Sequence, residues 1–204
     1  MEKLDLKKAR RELFTARPGE FVEIDVPCCQ YLMIDGHGDP NNAPEYQRAL
    51  QALYSTAYAL KAELKRSAKD FVVAPLEGLW SSGDPSSFRD RRKSEWDWTM
   101  MIMVPDDVEQ SHFDTARERA RQKLGEAASD LRFERRQEGL CLQALHIGSH
   151  DDEAPLLADL HDNIMPAVGY TFAGPHHEIY LSDPRKTEPS RLKTIVRQPV
   201  RPMG

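Results

Sequence analysis

The chain has 204 residues, 40% of them hydrophobic, which is enough for one large domain with a real core. Its net charge of −5 is mild and argues against a nucleic-acid binder held by phosphate neutralisation. The basic run "RDRRK" (Arg89–Lys93) is flanked by acids and reads as a solvated loop.

The three cysteines, Cys28, Cys29 and Cys141, make neither a disulfide framework nor a zinc site, because two are adjacent and no second ligand pair exists. The opening stretch "MEKLDLKKARRELF" is charged throughout and lacks an apolar signal core. No run approaches the length of a membrane span. The expected setting is a reducing cytoplasm, with no membrane partner.

In chain order, "FVEIDV" (Phe21–Val26) alternates apolar and acidic residues as a half-buried strand does. Pro27 ends it, and a second strand follows over Gln30–Gly36. Gly36, Gly38, Asp39 and Pro40 form a loop, Asn42 is a candidate N-cap and Pro44 sits in the first turn of a helix. That helix places Leu50, Leu53, Tyr54, Ala57, Leu60 and Leu64 at helical spacing and ends in Lys65, Arg66 and Lys69. Phe71–Trp80 reads as a strand broken by Pro75 and Gly78, and Trp96–Pro105 as another, with a polar loop between. A linking helix covers about 106–127. Gly139–Ser149 is then a strand, "DDEAPLLADLHDNIM" a helix, "YTFAGPHHEIYLSDP" a strand broken by Gly174 and Pro175, and Leu192–Val200 the closing strand.

The order repeats. Half-repeats over about 21–105 and 131–200 each give a strand, a helix and a strand hairpin, and the repeat brings Glu77 into register with Glu178. The expectation is one domain over 1–204. Three strands alone make a weak sheet, so two such units share a core, with a concave groove suited to a small molecule.

The tail "HHEIYLSDPRKTEPSRLKTIVRQPV" (His176–Val200), with "PLEGLW" (Pro75–Trp80) and the two-fold layout, resembles the GyrI-like small-molecule-binding family. That family includes effector-binding domains of multidrug-sensing transcription activators. It also includes stand-alone proteins, some of which hydrolyse cyclopropane-bearing, DNA-alkylating natural products. The resemblance covers the chain from Phe21 on. About twenty residues precede the first strand, with no helix-turn-helix among them, which favours the stand-alone type. The resemblance implies an α+β fold of two pseudo-twofold βαββ units in a continuous or paired antiparallel sheet. Helices lie on one side, and a central ligand cleft has Glu178 at its floor.

Strand alternation sets His176, Glu178 and Tyr180 on one face and His177, Ile179 and Leu181 on the other. The residues alone allow two readings: a water-facing strand, or a cleft-lining trio whose acid activates water or binds a cation. The family motif favours the second. Desolvation by aromatic walls would raise the pKa of Glu178 toward that of a useful general base. Tyr180 is the candidate donor to a ligand oxygen, and His176 ranks below it as a proton source.

Core is the default for any tryptophan, but Trp80, Trp96 and Trp98 cluster beside the polar loop "SSGDPSSF", which suits a stacking wall at a cleft mouth. Trp96 and Trp98 share one face of one strand in this reading. Tyr31 and Tyr170 are candidates for a second wall. Glu77 is the second acid, with a strand-end ion pair to an arginine as its alternative reading. Tyr54 and Tyr58 read as packing residues, and Glu95 and Asp97 as solvent-facing. His146 and His150, separated by Gly148, do not form a metal site, and no phosphate loop, HExxH or nucleophile elbow occurs.

The expected function is cofactor-independent hydrolysis of a strained, electrophilic ring, with Glu178 as base and Tyr180 as donor. The alternatives are binding, sequestration or sensing of planar, lipophilic, often cationic compounds without chemistry, and inhibition of a DNA enzyme by protein contact. The expected partner is a small planar ligand, not nucleic acid, and the protein is a monomer or homodimer.

Overall fold

The computed structural model describes residues 3–84 and 86–204. Its elements, in chain order, are β1 (Leu4–Asp5), α1 (Leu6–Ala9), β2 (Val22–Val26), β3 (Cys29–His37), α2 (Pro44–Arg66), β4 (Phe71–Val72), β5 (Leu76–Ser81) and α3 (Ser86–Arg89). Then come β6 (Asp97–Val104), α4 (Gln110–Leu124), β7 (Arg132–Arg136), β8 (Gly139–Ile147), α5 (Ala154–Asp159), α6 (Met165–Ala167), β9 (Tyr170–Phe172), β10 (His176–Tyr180) and β11 (Lys193–Pro202). A π-helical turn, Leu160–Ile164, joins α5 to α6. The fold class is α+β. No helix among the described residues is long and apolar enough to cross a membrane.

The chain divides into two compact units, the first formed by Met1–Arg11 and Cys29–Arg136 and the second by Glu12–Cys28 and Gln137–Gly204. In the first, the antiparallel order is β5-β6-β3-β7, and β1 pairs in parallel with β4. Helix α2 covers this sheet with Ala49, Ala52, Leu53, Ala57, Leu60 and Leu64, all buried and spaced at three and four residues. Helix α4 adds Phe113, Ala116 and Ala120. Its start is fixed by a capping box, in which the Glu109 side chain accepts from the third-residue amide and the His112 ring accepts from the Glu109 amide. Arg119 of α4 meets Glu63 of α2 at 2.7 Å.

In the second unit the antiparallel order is β2-β8-β11-β10, and β9 pairs with the far end of β11. Proline has no N–H to give a ladder. Pro199 of β11 falls where the partner strand changes, between the stretch paired with β10 and the stretch paired with β9. Gln198 bonds the Gly174 carbonyl at 2.9 Å across this break. Leu142, Leu160, Met165 and Val200 form a core cluster flanked by Phe21, Leu140, Ile164 and Tyr170. A second, polar core lies nearby. Arg197, fully enclosed, bonds Gln143, the Leu13 carbonyl and Glu138, while His177 bonds Glu138 at 2.9 Å.

Several expectations change. β2 pairs with β8 and β7 with β3, so the strand that opens each half joins the second strand of the other half. β7, "RFERR", was not anticipated, because its charges hide a strand that occupies a sheet edge. The first strand is not the one at Phe21: the stretch before it holds β1 and buries Leu6, Leu13 and Phe14. Ala43, not Asn42, is the N-cap of α2, and Asn42 instead bonds Asp39 at 2.7 Å. Pro75 breaks the Phe71–Trp80 stretch as expected, but Gly78 lies within β5 opposite Met100. The "SSGDPSSF" loop contains α3, and its Pro85 lies outside the described residues.

Candidate functional site

β10 shows the alternation its sequence requires. His177 and Ile179 are fully buried, while His176, Glu178 and Tyr180 face the other way and are half-buried. The Glu178 side chain is 13% exposed, and its Oε1 lies 3.3 Å from His176 Nε2. The Tyr180 hydroxyl also donates to this carboxylate. Burial pushes the Glu178 carboxyl up, but the His176 ring as donor and charge, the His150 charge and the Tyr180 hydroxyl together bring it below its ordinary value. This corrects the expected rise. Desolvation is present, and the imidazoles outweigh it, so Glu178 stays a carboxylate at neutral pH.

A second carboxylate completes the cluster. Glu153 immediately precedes α5, and its side chain is 4% exposed. Its Oε1 lies 3.4 Å from Nδ1 of His150, whose side chain is 46% exposed. The His150 ring stands edge-on to Tyr180, with centroids 5.3 Å apart. Burial, then the Glu178 charge, pushes Glu153 up to about 7 against the pull of His150 and His176. His150 is raised above its ordinary value by the hydrogen bond to Glu153, against burial and with help from Glu178 and Asp151.

One polar atom from each of His150, Glu153 and Glu178 falls within 4.8 Å of the others. Such a set can share a cation or a proton.

His161, in the π-helical turn, packs edge-on against Phe172 at 4.9 Å. Burial and the His176 charge lower its pKa to about 4, so the ring is neutral, and its buried Nε2 has no hydrogen-bond partner among the described residues. π-turns of this kind recur at functional sites.

In the first unit, Trp98 and Trp80 are only 2% and 6% exposed. Tyr46 of α2 meets both, edge-on to Trp98 at 5.1 Å and stacked with Trp80 at 6.5 Å. Trp96 precedes β6 instead of sharing a strand face with Trp98. Its ring tilts against Phe88 at 5.1 Å, and its N–H donates to the Ser87 carbonyl. Glu77 is fully buried on β5 opposite Met101, and Tyr31 is buried on β3. Tyr170, in the second unit, donates to Glu23 at 2.7 Å. Tyr54 and Tyr58 are exposed, which corrects their reading as packing residues, because the buried stripe of α2 runs through neighbouring positions.

The sequence reading missed Glu153, His161, Tyr46 and Phe88, and considered His150 only as a metal ligand. The run "HDDE" (His150–Glu153) carried the signal: an imidazole and a carboxylate three apart at the mouth of a helix.

The GyrI-like small molecule binding domain family matches residues 20–201. An uncharacterized conserved protein from Listeria innocua is 37% identical, with a TM-score of 0.88 over 98% of this chain and 100% of its own. Two structures described as hydrolases from Listeria innocua are 35% and 36% identical, with TM-scores of 0.86 and 0.83, each over 98% of this chain and 100% of theirs. No curated protein gives a significant match. With nearly its whole length matched, the chain belongs to the GyrI-like small molecule binding domain family.

Proposed function

We propose that the protein hydrolyses electrophilic, cyclopropane-bearing compounds, with Glu178 as the general base. The observation that carries this reading is a half-buried carboxylate kept ionised by His176, His150 and Tyr180. The similarity to two Listeria innocua hydrolases supports it.

A cyclopropane conjugated to a dienone is strained and electrophilic. Glu178 removes a proton from water as the water oxygen bonds to a ring carbon. The ring C–C bond breaks, and its electron pair moves to the dienone oxygen, which gains a proton as the ring system becomes aromatic. Glu178 is ionised and ready to accept a proton, and as a base it is weaker than one whose pKa lies near the working pH. Tyr180, bonded to Glu178, holds the carboxylate in place and can turn to the ligand oxygen. Tyr170, in the same unit as Glu178, is proposed to contact the flat ligand, and Tyr170→Ala tests it by loss of affinity. Glu77, Tyr31 and Trp98 are enclosed in the core of the first unit.

The test is ring opening of such a compound followed by absorbance and mass. Glu178→Gln should lose most of the activity; full activity in that variant removes the proposed role. The family's small-molecule-binding character favours a second reading, capture without turnover, in which Glu178 is a counter-ion to a cationic ligand. Calorimetry showing saturable binding with no product favours it.

A further inference from the structure

Ring opening needs a proton delivered as well as a proton removed. The hydrolytic reading assigns the removal to Glu178, and Tyr180, the donor expected from the sequence, is engaged by that same carboxylate. His150 has the geometry for delivery. Its Nδ1 is held by a carboxylate that is itself almost fully enclosed, at 3.4 Å, while nearly half of the side chain is open. A base or acid whose ring is oriented by a buried third group is the recurring arrangement of catalytic imidazoles. The same cluster brings His150 and Glu178 atoms within 4.8 Å, and Tyr180 touches both groups.

We propose that His150, oriented by the buried carboxylate of Glu153, is the proton donor of the Glu178 site and protonates the oxygen that gains charge as the ring opens. This rests on the hydrolytic reading. Glu153 is a positioning residue and does not touch the substrate.

The protons balance. Water gives one to Glu178 and its oxygen to the ring carbon, and the ring bond's electron pair reaches the dienone oxygen, which takes one from His150. Glu178 is left protonated and His150 neutral. A proton passing between them across the cluster restores both, with no other reactant consumed. Glu178, Glu153 and Asp151 favour the imidazolium, and burial opposes it. Around Glu153 the charged groups are Glu178, His150 and His176.

The experiment pairs two readouts on wild type, Glu153→Gln, Glu153→Asp and His150→Gln. Proton NMR of the His150 ring should show titration above the ordinary histidine value in wild type. In Glu153→Gln it should fall, with Glu153→Asp recovering part of the difference. The alkaline limb of kcat/KM on a cyclopropane dienone should move down with it, and His150→Gln should lose roughly 100-fold or more. A His150 that titrates at or below the ordinary value overturns the proposal. So does an active enzyme whose alkaline limb ignores Glu153→Gln. Wild type that opens no such ring at any pH overturns the hydrolytic reading itself, and the donor role falls with it whatever the NMR shows.

Discussion

Glu178 Oε1 and His176 Nε2 lie 3.3 Å apart on one face of a single strand, two residues from each other. The pairing fixes the acid side of any pH profile. Glu178 is held below its ordinary value chiefly against burial, so removing His176 leaves burial to act with less opposition. In His176→Ala the Glu178 carboxyl should titrate higher, and the acidic limb of activity should move up with it. Carbon-13 NMR of the glutamate side chains reads the shift directly. An unmoved titration would mean that His150 and Tyr180 alone hold the charge.

Glu153 makes the fold itself sensitive to pH. Its carboxyl is raised to about 7 from 4.5, so the folded protein holds this proton more tightly than the unfolded chain. The stability it contributes is complete below about 4.5 and is lost as pH rises through about 7. The effect is on the order of 3 kcal/mol as an upper bound. Glu153→Gln should flatten this slope and melt higher than wild type at pH 8. Melting curves at half-unit pH steps measure it; parallel wild-type and variant slopes would count against a protonated Glu153.

His161 works in the opposite direction. Its pKa falls to about 4 from 6.5, so the unfolded chain takes up its proton first. The stability it contributes is present above about 6.5 and is lost as pH falls through about 4. His161→Phe should resist acid better than wild type, keeping more of its near-ultraviolet circular dichroism at pH 4.

The buried Arg197–Glu138–His177 group is a structural commitment of the second unit. Arg197 reaches Glu138 at 3.4 Å and the Leu13 carbonyl at 2.7 Å with no exposure of its own. Truncating one member of such a group leaves the others charged in the interior, typically about 3–5 kcal/mol. Arg197→Ala should lose that much in urea denaturation, and Arg197→Met less, because it fills the space without a charge to satisfy. Equal losses would show that the lost ion pairing, not the lost volume, sets the penalty.

Gly36 is required by its ladder partner. The Trp98 indole lies on it, and an added Cβ would come within 2.0 Å of the ring. Gly36→Ala should cost about 1–3 kcal/mol and shift the tryptophan emission. An unchanged spectrum would mean that the ring finds another seat.

The sequence carried the α+β class and most strands, because period-two alternation and proline or glycine breaks mark them locally. It did not carry β7, whose arginines look like loop, nor the exchange of β2 and β7, because pairing partners leave no local trace. At the site, alternation placed His176, Glu178 and Tyr180 on one face. The direction of the Glu178 shift turns on the His176 pairing first and then on His150, which enters from the short helical turn after β8, and alternation reveals neither interaction. Glu153 was hidden for the same reason: an acid beside a helix start looks like ordinary capping until burial and a second carboxylate surround it.

The exchanged strands bear on how the protein is made. β2 emerges early from the ribosome, but its partner residues in β8 are synthesised far later. β3 likewise waits for β7 before that edge of its sheet is covered. A nascent chain stopped before Arg132 would therefore carry one strand without a mate and another with an open edge. Chaperone capture during translation should be strongest in that window and should end once Ile147 has cleared the exit tunnel.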